Sequence, residues 1–352
     1  NLRQAVRDIQ SGTHRVAIVG TSEAPLVPEI FDGFATMGAL ADDVALRQLD
    51  HLSPTATPDH RRACRPFGHN AGFTLAESAQ FVVLFDDHLA LELGATVYAA
   101  VNEVFVNADG YKKSITGPGL GNYISMAKAT AATRNIIGDN GLKNRSYVQA
   151  HGTGTPQNRT TESHILSQIA ATFGIEKWPV TALKSYLGHS LASAAGDQLN
   201  ACLGIWRYGI IPGIQTTKAI ADDVSTDRLN ILLQHHDVGV GNMDAVLVNS
   251  KGFGGNNATA SILAPHIAEK MLARKHGRQT LNSYFKKNES VLERTARYDE
   301  QVNKGAVKPI YRYDYKVLER DALSITTERL AIAGHAREVN LQVPNSYTDM
   351  CE

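Results

Sequence analysis

Short β-rich runs alternate with stretches of helical periodicity from residue 1 to about residue 265, and this alternation is the feature that most limits the fold. It predicts helices layered on sheets rather than an all-α or an all-β architecture. Strands are predicted at Val16–Val19, Phe81–Phe85, Val97–Val106, Tyr147–Ala150 and Ala245–Asn249, and helices over 2–10, 122–137, 160–173 and 191–207.

The pattern changes after Pro265. Residues 266–297 are rich in Lys and Arg and predict one or two amphipathic helices. Alternating apolar and polar residues then predict a strand through Tyr311, Tyr313, Tyr315 and Val317, and a second strand is expected at Leu330–Ala333. We therefore expect an α+β appendage to the main α/β fold.

Composition excludes several classes of protein. The chain has 352 residues, and its 35 Lys plus Arg balance its 35 Asp plus Glu, so no nucleic-acid partner is indicated. No run of about 18 apolar residues occurs, which argues against a membrane span. The three cysteines Cys64, Cys202 and Cys351 have neither metal-ligand spacing nor the even number of a disulfide framework. A reducing cytoplasm is the simplest expectation.

Three segments carry residues with catalytic potential, and each has an ordinary structural interpretation when taken alone. A histidine after a strand is usually a hydrogen-bonding residue, and a glycine-rich run is usually a turn. Metal binding is not indicated, because the two histidines lie 38 residues apart with no ligand spacing around them. A phosphate loop is also excluded, because no Lys-Ser/Thr follows the glycines. The segments are Val148-Gln-Ala-His151-Gly-Thr153-Gly-Thr155-Pro156, Thr181-Ala-Leu-Lys184-Ser-Tyr-Leu-Gly188-His189-Ser190 and Asn249-Ser-Lys251-Gly252-Phe253-Gly254-Gly255-Asn256-Asn257.

Together and in this order, the three segments resemble the β-ketoacyl synthase family. Upstream sequence agrees, and the resemblance covers roughly residues 1–264. The agreeing segments are Gly20-Thr-Ser-Glu23-Ala-Pro25, Gly33-Phe34, Met37-Gly-Ala-Leu40, Cys64-Arg65-Pro66-Phe67 and Gly72-Phe73-x-x-Ala-Glu77-Ser-Ala.

The resemblance implies a thiolase-like αβαβα five-layered fold, of which this chain would hold the C-terminal half and the end of the first half. Residues 1–140 would contain the end of the N-terminal half with connecting and dimer segments. Residues 141–265 would form the C-terminal half with the catalytic groups, and residues 266–352 a C-terminal extension. The resemblance also implies a homodimer.

The implied activity is that of an acyltransferase, a decarboxylative Claisen condensation of an acyl primer with malonyl-acyl carrier protein in fatty-acid biosynthesis. By resemblance His151 and His189 donate Nε2–H to the malonyl thioester carbonyl, and Lys184 organises the two histidines. Phe253 would supply a backbone N–H to a second oxyanion hole and its side chain would guard the acyl pocket. Fixed donors of this kind stabilise a developing enolate by several kcal/mol.

Further residues match the family by position. Thr153 and Thr155 correspond to the pair that hydrogen-bonds the phosphopantetheine arm, although they also suit local backbone hydrogen bonds. Gly252 and Gly254 flank Phe253 and are expected to let its backbone turn sharply. Glu162 and Asn249 are expected to be structural residues near the site.

Three places depart from the family pattern, and one of them is Gly68-His69-Asn70, which replaces a stretch that usually contains Asp. Lys251 stands where Phe is common before the glycines, so acyl-length specificity is not transferable. Gln198 stands where some members have Glu, which weakens the case for a cation near Glu162.

The nucleophilic cysteine is expected upstream of Asn1, at the N-terminus of the helix that opens this chain, since helix N-termini favour the thiolate. Cys64, Cys202 and Cys351 match no nucleophile position.

The expected partners are acyl carrier protein, malonyl-acyl carrier protein and an acyl thioester, with substrates carried on phosphopantetheine or coenzyme A and no resident cofactor or metal. Two alternatives are open, and a third is disfavoured by the sequence. A chain-length-factor-like partner subunit would have no reason to keep His151, Lys184 and His189 together. A polyketide or polyunsaturated-lipid ketosynthase would use the same chemistry. A thiolase or Cys-His-Asn initiating synthase would not carry the Lys184–His189 segment.

Overall fold

The computed structural model describes residues 1–110, 119–308, 310–315 and 317–351. The chain consists of two compact units, Asn1–Glu293 and Arg294–Glu352. The helices are α1 Leu2–Gln10, α2 Pro28–Thr36, α3 Asp43–Leu49, α4 Asp87–Leu93, α5 Leu120–Asn144, α6 Pro156–Thr172, α7 Lys184–Leu187, α8 Ala194–Tyr208, α9 Pro265–His276 and α10 Arg278–Asn303. The strands are β1 Val16–Glu23, β2 Ser78–Phe85, β3 Ala100–Ala108, β4 Ser146–Gln149, β5 Trp178–Thr181, β6 Ile210–Ile211, β7 Leu229–Ile231, β8 His236–Asp237, β9 Ala245–Gly252, β10 Asn256–Leu263, β11 Leu323–Ile325, β12 Arg329–Ile332 and β13 Val339–Asn340.

A mixed six-stranded sheet in the order β3-β10-β9-β4-β5-β7 forms the centre of the first unit. Strands β9, β4, β5 and β7 are parallel, whereas β10 is antiparallel to both of its neighbours. Leu247 of β9 packs in the cluster that includes α5 and α6, whereas Val246 and Val248 pack against residues of α8. A sheet buried on both faces explains why its strands are continuous apolar runs in the sequence.

Two more layers lie beyond this sheet. Helices α1 and α8 cover the face opposite α5 and α6, and the antiparallel pair β1–β2 packs on the far side of α1 and α8. The first unit therefore stacks α, β, α and β layers, which confirms the predicted α/β class. The outer face of β1–β2 exposes the apolar side chains of Val16, Ile18, Phe81 and Val83.

The predicted elements of the first unit are present, with some shifted ends. Strand β3 begins at Ala100 rather than Val97, because its partner β10 ends at Leu263, which pairs with Ala100. Helix α8 begins at Ala194 rather than 191, because Leu191 has a left-handed φ of 48° and opens a short 3-10 turn.

The basic stretch after Pro265 forms the two helices α9 and α10, as predicted, and α10 extends into the second unit. That unit also contains the three-stranded sheet β11-β12-β13, and its strand β12 matches the predicted strand at Leu330–Ala333.

The predicted strand through Tyr311 to Val317 is wrong for the described residues of that segment. Residues 313–315 form a turn, and Asp314 has a φ of 57°, which an extended strand does not allow. Tyr311 and Tyr313 are 78% and 85% exposed, so no buried face stabilises the alternation seen in the sequence.

A bilayer-spanning helix is not found among the described residues, since none of their helices combines the required length with sufficient apolarity. The domain boundaries expected after residues 140 and 265 stay a prediction.

Candidate active site

The loop that presents His151 is anchored by one buried carboxylate, that of Glu162 on α6. Glu162 Oε1 accepts the backbone N–H of His151 (2.8 Å) and the amide of Asn249 (2.7 Å). Its Oε2 accepts the backbone N–H of Gly152 (2.8 Å) and the amide of Asn158 (2.9 Å). Four donors therefore converge on a single fully buried anion, and charge-assisted hydrogen bonds of this kind are about twice as strong as neutral ones.

Asn249 extends this anchor to the central sheet. It lies on β9, which is parallel to the strand that leads into His151. Its Oδ1 accepts hydrogen bonds from Asn122 (2.8 Å) and from the Thr259 hydroxyl (3.1 Å). The predicted structural role of Glu162 and Asn249 thus has a defined geometry: together they fix the end of β4 to α6 and β9.

The His151 ring has its Nδ1 occupied by donors. The backbone N–H of Lys251 donates to Nδ1 at 3.3 Å, and the Lys184 ammonium lies 3.5 Å from the same atom. Lys184 Nζ also donates to the His151 carbonyl at 2.7 Å. Since Nδ1 accepts, the proton of the neutral ring resides on Nε2.

His189 repeats this arrangement with a different donor. The backbone N–H of Leu191 donates to His189 Nδ1 at 3.1 Å, so Nε2 again carries the proton. The two imidazole centroids lie 5.5 Å apart with their planes at 81°. The structure thus brings His151, Lys184 and His189 together, with both histidines prepared to donate from Nε2.

Burial keeps both imidazoles neutral. It lowers the pKa of His151 well below the ordinary value of 6.5, and the nearby charge of Lys184 adds to this effect. Burial and then Lys184 lower the pKa of His189 in the same direction. Lys184 itself is 4% exposed, and burial lowers its pKa to about 8 despite the opposing charge of Glu162.

The predicted gate residue Phe253 directly follows β9, at the start of a short 3-10 turn, and is 44% exposed. Its ring centroid is 5.6 Å from that of Phe34, which lies 5.4 Å from Phe73. Phe73 in turn lies 5.2 Å from the His189 ring. A continuous row of aromatic rings therefore connects Phe253 to His189.

The sharp turn after Phe253 is made by Gly254 and Gly255, whose φ angles are 78° and 83°. Gly252 instead has an extended backbone, and a Cβ there would meet its nearest atom at an ordinary 3.6 Å. The expectation that Gly252 shares in the turn is therefore wrong, because the chain is still in the β conformation at that residue.

Thr153 and Thr155 are both buried, and their hydroxyl oxygens lie 3.0 Å apart. They follow His151 on the same loop. Their predicted contact with a phosphopantetheine arm stays a prediction.

Comparison with known proteins agrees with this site. Residues 1–90 match the β-ketoacyl synthase N-terminal domain, and residues 98–217 match the C-terminal domain of the same family. The chain belongs to the β-ketoacyl synthase family.

Individual relatives give the extent of the similarity. β-Ketoacyl-[acyl-carrier-protein] synthase FabY of Pseudomonas aeruginosa is 45% identical over 353 residues, covering 100% of this chain and 55% of the relative. The 3-oxoacyl-[acyl-carrier-protein] synthase 2 of Synechocystis is 30% identical, covering 72% of this chain and 56% of the relative. The chain thus spans about half the length of these curated relatives.

Solved structures agree on the fold. The crystal structure of the noncanonical ketosynthase FabY from P. aeruginosa superposes with a TM-score of 0.88 and covers 100% of this chain and 55% of that one. A type II polyketide ketosynthase in complex with its acyl-carrier protein, AntDE:AntF, superposes with a TM-score of 0.61 at 22% identity and covers 75% of this chain and 59% of that one. The predicted thiolase-like fold is confirmed.

Gln198 on α8, which stands where some β-ketoacyl synthases have Glu, hydrogen-bonds three backbone carbonyls. Its Nε2 donates to the backbone carbonyls of Gln149 (3.2 Å), Ala150 (2.7 Å) and Asn249 (3.3 Å). A neutral amide therefore satisfies the carbonyl oxygens that converge beside Glu162. The weaker case for a cation near Glu162, expected from Gln198, stays a prediction.

One group of potential metal ligands occurs among the described residues, formed by Asp87, His88 and His276. Asp87 Oδ2 already binds His276 Nε2 at 2.7 Å and the ammonium of Lys275. A cation of the protein thus occupies the carboxylate that a metal would use.

Two buried cysteines of this family member are unsuited to nucleophilic attack. Burial raises the pKa of Cys64 to about 11 and that of Cys202 to about 12. Both therefore persist as thiols, which supports the expectation that neither replaces the upstream cysteine.

Sequence reasoning missed several residues of the site. Asn158 had a detectable signal, since it precedes Glu162 by four residues on one helical face. Asp197, which bonds Ser190 beside His189, had no such signal because its other partners lie on a distant strand.

The Glu162→Gln variant tests the anchor. An amide NH2 in either orientation would face two N–H donors, so at least two charge-assisted hydrogen bonds are lost at about 1.5–3 kcal/mol each. We expect the free energy of unfolding of the intact protein to fall by about 3 kcal/mol or more in urea titrations. Glu176→Gln, at a 76% exposed side chain, is the matched control. Equal stability of the two variants would contradict the anchoring role.

The neutral histidines predict how stability depends on pH. Below pH 6.5 the unfolded chain protonates His151 and His189 whereas the folded protein does not, so stability falls as the pH decreases. Each histidine contributes about 1.4 kcal/mol per pH unit to this slope. We expect His151→Gln and His189→Gln each to flatten the slope between pH 6.5 and 5 relative to His14→Gln, a surface control. An unchanged slope in both would show that the rings are protonated in the folded state.

Proposed function

We propose that the protein is a β-ketoacyl-[acyl-carrier-protein] synthase, an acyltransferase that condenses an acyl primer with malonyl-acyl carrier protein in fatty-acid biosynthesis. The observation that carries the proposal is the pair of Nε2–H donors. The backbone N–H of Lys251 donates to Nδ1 of His151, and that of Leu191 donates to Nδ1 of His189. Because Nδ1 accepts a hydrogen bond in each ring, each neutral ring carries its proton on Nε2 and donates from there.

The chemistry follows from these donors. The malonyl thioester carbonyl would accept Nε2–H from His151 and His189, and cleavage of the carboxyl bond would release CO2 and leave an enolate. The negative oxygen of the enolate would be held by the same two donors without transfer of either proton. Such preorganised donors are worth about 10²–10³ in rate each.

Carbon–carbon bond formation completes the cycle. The enolate carbon would attack the carbonyl of an acyl group held as a thioester on the cysteine expected upstream of Asn1. The resulting oxyanion would be stabilised at the backbone N–H of Phe253, and its collapse would expel the cysteine thiolate. The product is a β-ketoacyl thioester on the carrier, two carbons longer than the primer.

Lys184 supports the donors and does not act as a nucleophile in this scheme. Its ammonium lies against the His151 carbonyl and ring, where its positive charge disfavours protonation of both histidines. A protonated histidine would have lost its acceptor at Nδ1 and with it the contact to the loop backbone.

Acyl carrier protein is the proposed partner. The similar AntDE:AntF structure contains an acyl-carrier protein bound to its ketosynthase, and substrates of this chemistry travel on phosphopantetheine or coenzyme A. Thr153 and Thr155, on the loop that follows His151, would hydrogen-bond that arm. The scheme uses no resident cofactor or metal. We propose that the protein is a homodimer. We also propose that it is cytoplasmic, consistent with cysteines that form no disulfide among the described residues.

Decarboxylation of malonyl-acyl carrier protein tests the scheme. We expect the intact protein to release CO2, and His189→Ala to lower the rate about 100-fold or more through loss of one oxyanion donor. His88→Ala removes an exposed histidine outside the site and is the matched control. If His189→Ala decarboxylated at the parental rate, its assigned role would be wrong. If the parent released no CO2, a non-condensing partner subunit would be the better description.

A further inference from the structure

Asp197 is a buried acid that the proposed reaction does not use. It lies in the first turn of α8 and is 5% exposed. Its Oδ2 accepts the hydroxyl of Ser190 at 2.5 Å, and its Oδ1 accepts the hydroxyl of Ser78 at 2.5 Å and the amide of Gln80 at 2.9 Å. Across the ranges that the structure describes, no lysine, arginine or histidine forms an ion pair with it. Burial of a carboxylate without a cationic partner is unfavourable, even with three neutral hydrogen-bond donors. We therefore expect Asp197 to have a role in the site.

The donors around Asp197 are themselves fixed in orientation. The Asn200 amide donates to the carbonyl oxygen of Gln80, which directs the Gln80 amide nitrogen toward Asp197. The same nitrogen lies 3.2 Å from the Ser78 hydroxyl oxygen. Ser193 adds a hydrogen bond to the Ser78 backbone carbonyl at 3.1 Å. The carboxylate therefore joins β2 to the start of α8 through a network with little freedom.

The network reaches the active site through Ser190, which lies between His189 and Leu191. The Leu191 N–H must point back at His189 Nδ1 for the ring to carry its proton on Nε2. To direct its N–H in this way, Leu191 adopts a left-handed φ of 48°, a conformation that costs a non-glycine residue about 1 kcal/mol or more. A turn of this kind persists only where its surroundings hold it. Backbone hydrogen bonds to Thr74 and Ala76 hold His189, and the Ser190–Asp197 bond adds a buried side-chain contact at the next residue.

We propose that Asp197 is a positioning residue, which holds the 189–191 turn so that the Leu191 N–H fixes the donor tautomer of His189. The inference rests on the proposed function, in which that tautomer stabilises the enolate. In this proposal Asp197 does not contact the substrate and acts on His189 only through the turn.

The charge of Asp197 has a second, separable effect. Lys184 is surrounded by Glu162, Cys64 and Asp197, which raise its pKa, while burial lowers it more strongly. The neighbouring histidines His151 and His189 are neutral. Removal of the Asp197 charge therefore lowers the pH at which the Lys184 ammonium loses its proton, whereas loss of Ser190 alone does not remove that charge.

Three variants separate these effects in malonyl-acyl carrier protein decarboxylation by the intact protein. Asp197→Ala breaks the network, Ser190→Ala removes only its connection to the turn, and Asp197→Asn removes the charge while keeping the shape. Asp139→Asn, at an exposed acid on α5, is the control and keeps parental activity.

We expect Asp197→Ala and Ser190→Ala to lower kcat about 10-fold or more with little change in KM. In Asp197→Asn, activity should begin to fall at a lower pH than in the parent, whose high-pH limb lies near the Lys184 pKa of about 8. Crystal structures of the two Ala variants should show the Leu191 N to His189 Nδ1 distance lengthened beyond 3.5 Å. Because Ser190→Ala leaves the buried carboxylate with two donors, it keeps the test available if Asp197→Ala fails to fold.

The inference is overturned if the parent decarboxylates normally while Ser190→Ala and Asp197→Asn retain the parental kcat, pH limb and Leu191–His189 distance. A parent that does not decarboxylate would instead count against the proposed function, and the crystallographic distance would then decide the positioning role alone.

Discussion

The hydrogen bonds to the Glu162 carboxylate are the interaction on which the rest of the site depends. One buried anion receives donors from the His151 loop, from its own helix α6 and from strand β9. Without it, two backbone N–H groups after β4 would be buried and unpaired, at about 1–3 kcal/mol each. The loop conformation that places the His151 ring beside Lys184 is therefore a consequence of satisfying that charge.

The second requirement of the site is that His151 and His189 both carry their proton on Nε2. Neither imidazole hydrogen-bonds a carboxylate directly, as catalytic histidines that act as bases often do. Each ring instead accepts from a backbone N–H, of Lys251 or of Leu191, and this leaves Nε2–H as a donor. Burial and the Lys184 charge both disfavour the imidazolium, so the site is built to donate hydrogen bonds and not to exchange protons. Enolate stabilisation needs that property.

Much of this was predictable from the sequence. The double-faced burial of the central sheet explains why Tyr147–Val148 and Val246–Val248 read as continuous apolar strands. The order of the three motifs located His151, Lys184 and His189, which the fold brings together. The strand predicted through Tyr311 to Val317 was wrong. Alternation of apolar and polar residues indicates a possible strand, but it does not indicate whether a partner strand is present to pair with it.

Other features depend on contacts that no local pattern records. Asp197 bonds Ser78 across 119 positions of sequence, and its importance appears only when β2 packs on α8. The Gly252 expectation failed for a related reason, since a glycine-rich run does not show which glycine takes the positive φ.

The position of two protons is the most direct test of the account. Neutron diffraction from crystals of the intact protein exchanged into deuterium oxide near pH 6 would locate them on His151 and His189. The account predicts deuterium on Nε2 of both rings and none on Nδ1. Deuterium on Nδ1 of either ring, whether as the other tautomer or as the imidazolium, would contradict it.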